Sequence, residues 1–199
     1  MTIVWKNTIN LNSRSYTCGF CGNPLAANQG YSASDVDAHF VEVAIYICHH
    51  CKWPTFFIFK NGYLNQQVPS PAFGNAVSHL PDDIKSLYDE ARNCLKVNAS
   101  TASILCSRKL LMNIAVANGA EEGLKFIEYV NYLVEKGFVP PNGRGWVDHI
   151  RNKGNEATHE IKIMSRSDAE ELITFLEMLL KFIYEFPAKI KDKTQESLK

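Results

Sequence analysis

Two Cys-x2-Cys pairs, Cys18-Gly-Phe-Cys21 and Cys48-His-His-Cys51, constrain this chain more than any other feature, with 26 residues between the second and third thiols. Paired cysteines at this spacing read as metal ligands rather than as a disulfide framework. The gap exceeds the roughly 15 to 20 residues of the commonest ribbons, but a ribbon carrying an inserted loop spans it. Four thiolates complete a tetrahedron and leave no position for water, so the expectation is a structural zinc ion on Cys18, Cys21, Cys48 and Cys51, without metal-assisted chemistry. His49 and His50 lie inside the second pair and could replace a thiolate. Residues between two ligands usually make the tight turn, and both are left out of the site. Cys94 and Cys106 are single thiols on apolar helical faces, read as small core residues.

The second cysteine pair is fed by a β signal. His39-Phe-Val-Glu-Val-Ala-Ile-Tyr-Ile47 is rich in β-branched and aromatic residues and runs straight into Cys48. Residues 55–60 and 63–68 flank Asn61-Gly62, a pair suited to the positive φ angles of a type I′ hairpin turn. Residues 22–37 are polar and small, which predicts a loop, and residues 3–5 could add an edge strand. Phe56, Phe57, Phe59 and Trp53 admit two readings, as a surface on which bases stack or as cover for a small core. With only Arg14, Lys52 and Lys60 nearby to meet phosphates, core cover is the stronger of the two.

Residues 69–80, rich in proline and serine at their start, form a linker at which the apolar period changes. Ile84, Leu87, Tyr88, Ala91 and Leu95 then recur at helical spacing, behind a proline and two acids at positions 81–83. Further helices are expected over about 99–118, 121–136, 145–159 and 167–186, the last stopped by Pro187. The predicted architecture is therefore α+β and mainly α. It has a zinc-ribbon β module at 1–68, a linker at 69–80, an antiparallel five-helix bundle at 81–187 and a flexible tail at 188–199.

Within the helical half, Arg151-Asn-Lys-Gly-Asn-Glu-Ala-Thr-His159 concentrates polar groups. On a helix, Arg151, Asn155 and His159 would stand at i, i+4 and i+8 along one face, with Gly154 beside them permitting close approach. The alternative is that Asn155 and His159 are a packing pair that holds helices together. Arg108, interrupting the apolar run of the second helix, either meets a partner inside the bundle or lies on a solvated face.

Charge is balanced. Lys+Arg and Asp+Glu both number 21, split as +1 over residues 1–80 and −1 over 81–199, so no basic half announces a nucleic-acid footprint. The opening Met-Thr-Ile-Val-Trp-Lys lacks the pattern of a secretory leader, and no apolar run approaches the roughly 20 residues of a membrane span. A cytoplasmic protein with no membrane association is expected.

Pro81…Tyr88-Asp-Glu-Ala91, Ser107-Arg108, Gly137-Phe-Val139, Ile150-Arg151…Gly154-Asn155…His159 and Ile183-Tyr-Glu-Phe-Pro187 occur in an order that resembles the bacterial domain-of-unknown-function 4145 family. That family is similar to the HEPN superfamily of helical bundles, and its members often carry an N-terminal zinc ribbon. The resemblance implies a HEPN-like bundle and a nucleic-acid-associated role in a defence, restriction or toxin-type system. It also implies a homodimer whose sites form across the two-fold axis. Under it, His159 would be general acid or base of a metal-independent ribonuclease, with Arg151 or Arg108 meeting the developing charge and Asn155 beside them. The competing expectation is a non-catalytic module that dimerises or docks on a partner protein.

Overall fold

The computed structural model describes residues 3–34, 41–139, 145 and 164–196. The chain divides into two compact units, Met1–Ala72 and Phe73–Lys199, each with its own apolar cluster.

The first unit is one antiparallel meander of β1 (Ile9–Thr17), β2 (Pro24–Ser34), β3 (Val41–Ile47), β4 (Pro54–Lys60) and β5 (Tyr63–Val68), hydrogen-bonded in chain order. The β4–β5 hairpin turns on Asn61 and Gly62, both at positive φ, and Lys60 pairs with Tyr63. Residues 22–37 are not the loop that their composition suggests, because β2 occupies most of them. Residues 3–5 form no strand, and β1 is an addition. Neither β1 nor β2 is rich in β-branched residues, so their pairing is decided by the neighbouring strands rather than by propensity. Gly30 shows what that pairing demands: a Cβ there would lie 1.7 Å from the Ile45 carbonyl oxygen, so β2 can approach β3 only with glycine at this position.

The sheet curls until its outer strands meet, the Gln67 side-chain amide on β5 donating to the Thr17 carbonyl on β1 at 2.8 Å. The enclosed core is aromatic. Phe57 is fully buried and takes edge contacts from Tyr16 at 5.0 Å and Tyr46 at 5.5 Å. Phe59 is buried beside it and carries the Arg14 guanidinium 4.2 Å above its ring. Phe57 and Phe59 are thus core residues, whereas Trp53 is exposed.

In the second unit, the described residues form four helices, not the expected five-helix bundle. They are α1 (Asp82–Lys96), α2 (Ser100–Ala117), α3 (Phe126–Glu135) and α4 (Arg166–Leu180), the last continued by a π turn (Lys181–Glu185) and a terminal segment (Phe186–Glu196). The count of five takes one member from residues 145–159. Polar spacing suggests a helix there, without the apolar periodicity that packing rewards, and all but position 145 of that stretch lies outside the described residues. A second correction concerns Pro187, which does not end the last helix. The π turn just before it sends the Phe186 N–H to the Lys181 carbonyl, and that wider turn relieves the clash between a proline ring and the preceding carbonyls. α3 begins later than its apolar pattern suggests, behind Gly123 at φ +81°.

Ile84, Tyr88, Ala91 and Leu95 of α1 pack with Ile104, Leu111 and Ile114 of α2, Leu133 of α3 and Ile173, Leu176 and Leu179 of α4. Ser103 ties α2 to α1 by donating to the Ala91 carbonyl at 2.8 Å. No helix among the described residues is long and apolar enough to cross a membrane.

Candidate metal centre

Each Cys-x2-Cys pair sits in a tight turn between two strands, Cys18 following β1 and Cys48 following β3. The two turns repeat the same backbone pattern. The Gly22 N–H donates to the Cys18 carbonyl and the Lys52 N–H to the Cys48 carbonyl, both at 2.9 Å. The Cys18 and Cys48 N–H groups donate in turn to Asn23 and Trp53, closing each loop. The residue after each second cysteine takes a positive φ, +73° at Gly22 and +63° at Lys52. The Trp5 indole N–H donates to the Lys52 carbonyl at 2.7 Å.

These turns bring all four sulfurs within 4.8 Å of one another. Cys18 and Cys51 stand 3.7 Å apart, Cys21 and Cys48 3.8 Å apart. A tetrahedron with metal–sulfur bonds of about 2.3 Å has edges of about 3.8 Å, so the donor set fits a four-coordinate ion without rearrangement. Cys18 and Cys48 are buried, Cys21 and Cys51 less so. Burial pushes the Cys18 thiol up and the Cys51 thiol up to about 12. Burial also acts to raise Cys21, but hydrogen bonds from the Asn23 backbone and from the neighbouring thiols outweigh it and bring that thiol down to about 7. A bound cation would supply the charge that the buried thiolates lack. The Phe20 N–H lies 3.4 Å from the Cys18 sulfur, and the Asn23 side-chain amide 3.5 Å from that of Cys21.

The cluster is all-cysteine. His49 and His50 are exposed, their rings 4.2 Å apart. The groups behind the sulfurs are placed by strand alternation rather than by the Cys-x2-Cys motif. Tyr16 shares the Phe57 core beside the thiols, and burial raises its hydroxyl above the ordinary value. Thr55 is fully buried next to it. Tyr16 precedes Cys18 by two positions, and the alternation of a strand places it on the same face, a usable signal.

A family model described as "Domain of unknown function (DUF4145)" matches residues 89–197. The chain belongs to this family. No curated protein and no solved structure gave a match. The DUF4145 match begins within α1 and covers the other candidate residues. Of these, Arg151, Asn155 and His159 lie outside the described residues. Arg108 is described: it projects from α2 over Phe126, its guanidinium carbon 4.2 Å from the ring centroid, and burial lowers its pKa. Several residues that carry the family resemblance have structural work. Tyr88 donates to the Asn75 carbonyl at 3.0 Å, and Glu185 accepts the Ser78 N–H at 2.9 Å. Ser107 is fully buried, its hydroxyl without a hydrogen-bond partner among the described residues.

Proposed function

We propose that this DUF4145 protein is a nucleic-acid-associated member of a bacterial defence, restriction or toxin-type system. In this reading a structural zinc ion on Cys18, Cys21, Cys48 and Cys51 holds a ribbon, and a HEPN-like helical unit cleaves RNA without metal. His159 moves the proton, Arg151 or Arg108 meets the charge developing on phosphorus, and Asn155 orients them. The observation that supports the reading lies in the described residues on either side of the polar stretch: Val139 and Met164 are both buried in the helical core. The Met164 N–H donates to the Thr101 hydroxyl at 3.3 Å, and Thr101 precedes Arg108 by seven positions on the same face of α2. On that face the half-buried Arg108 guanidinium stacks over the Phe126 ring.

The test pairs two measurements on parent and His159→Ala protein, thermal melting and cleavage of single-stranded RNA without divalent ions. Loss of cleavage by a factor of roughly 10² to 10⁴ with an unchanged melt supports the enzyme. A lowered melt with no cleavage to lose retires it.

A non-catalytic dimerisation module is the second reading, favoured by a stripe of exposed apolar side chains, Met178, Phe182, Phe186 and Ile190, along the last helix. A four-residue repeat drifts about 40° per step around an α-helix. The π turn beneath Phe182 counters that drift by adding a residue to one turn, which keeps the stripe near one face. A homodimer packed on this face should become a monomer in light scattering when Phe182→Asp is introduced. A parent protein that is already monomeric at micromolar concentration refutes the dimer.

A further inference from the structure

The two cysteine turns do more than present sulfur. Phe20 lies within the first and Trp53 follows the second, and their rings stack 5.2 Å apart with planes inclined by 23°. The pair remains 45% and 48% exposed, unlike Phe57 and Phe59 in the same unit, which are buried. Beside Trp53 in the chain, Lys52 is held in the left-handed region by its bonds to Cys48 and Trp5. Glycine occupies the equivalent place in the first turn at less conformational cost, so an ammonium is kept here against backbone preference. His49 and Lys52 line a cleft of about 380 Å³ with Trp5, Asn28 and Gln29.

Charge decides what such a surface can hold. Among the described residues of this unit the acid is Glu42. It pairs with Phe59, five rungs along β3 from the Ile47–Pro54 pair that leads into the cysteine turn, roughly 17 Å at strand spacing. The turn end therefore offers flat aromatic faces and the Lys52 ammonium, with no described carboxylate nearby. A polyanion that carries planar groups at regular intervals matches both.

We infer that the cysteine-turn end of the ribbon binds single-stranded nucleic acid, bases stacking on the Phe20–Trp53 pair and the backbone phosphate meeting Lys52. This deepens the nucleic-acid reading above by naming where the strand is held, and it does not depend on the helical unit being catalytic.

The experiment is fluorescence anisotropy on the metal-loaded full chain with labelled oligouridylate and oligodeoxyuridylate of about 12 nucleotides, and with a duplex of the same length. Both single strands are expected to bind more tightly than the duplex, and a preference for the ribose form would assign the site to RNA. Trp53→Ala should weaken single-strand binding roughly 5- to 150-fold, the range for one stacked base, while Trp53→Phe retains most of it. Lys52→Gln should lower the slope of log affinity against log salt by about 0.7, one released counterion. Metal content and melting temperature, measured on each variant, exclude unfolding as the cause. Equal binding of duplex, or parent affinity in both Trp53→Ala and Phe20→Ala proteins, overturns the inference. Trp53-dependent binding without RNA cleavage by the parent leaves it standing and retires only the ribonuclease.

Discussion

Glu177 and Glu185 stand eight residues apart on the last helix, and each accepts a backbone N–H from the irregular segment before α1. The Asn75 N–H reaches Glu177 at 2.7 Å and the Ser78 N–H reaches Glu185 at 2.9 Å, while Lys181 and Lys189 complete ion pairs with the same carboxylates. From the other side, Arg92 donates to the Phe73 and Gly74 carbonyls at 2.9 and 2.8 Å. A stretch that composition marks as a linker is thus fastened at several points, at least from Phe73 onward. The Lys189 ammonium and the Ser78 N–H hold the Glu185 carboxyl down at about 2, against an ordinary value near 4.5. A depressed carboxylate lends stability that is fully present above pH about 4.5 and lost as pH falls through about 2. Glu185→Gln should remove this contribution, so the melting temperature of the variant should fall less than that of the parent between those two pH values. Parallel acid melts of both proteins measure it.

At the scale of elements, helix ends are set by caps and turns that apolar spacing does not mark. Ser165 caps α4 in a reciprocal box: the Asp168 N–H donates to its hydroxyl at 3.1 Å, and its own N–H donates to the Asp168 carboxylate at 3.1 Å. Ser165→Ala should cost about 1 kcal/mol, read as a lower melting temperature. The cap meets its neighbour through Arg166, whose guanidinium donates to Asn98 at 2.9 Å and to the Leu95 carbonyl at 3.2 Å, where α1 ends. A cation there also favours the negative end of the α1 dipole. The apolar spacing of α1 was readable because its register is local and periodic. Pro187 was misread because the feature that accommodates it, one wider turn, has no compositional mark. β1 and β2 were missed for a similar reason: their side chains show weak alternation, and strands further along the sheet set their register.

For the whole molecule, two separate cores imply two responses to metal loss. The first unit offers a cluster of eight buried residues that includes two of the cysteines, too small a core to be secure without an ion on the proposed site. The helical unit has a far larger one. Chelation, or Cys48→Ser, should therefore abolish the cooperative melt of the β unit while the helical far-ultraviolet signal persists. Elemental analysis should show about one zinc per parent chain lost, and a metal-free preparation that melts like the parent would contradict this account. The sequence by itself determined the four thiols, the Asn61-Gly62 hairpin, the break between β and helical halves and the apolar faces of the first helices. These depend on residues close in the chain, where spacing alone dictates geometry. Tertiary structure decided what spacing cannot encode. It set the curl that joins β1 to β5 and chose which aromatics fill the core and which stay in solvent. It also fastened Asn75 and Ser78 to carboxylates more than a hundred residues away, because such contacts form only once packing has fixed both partners.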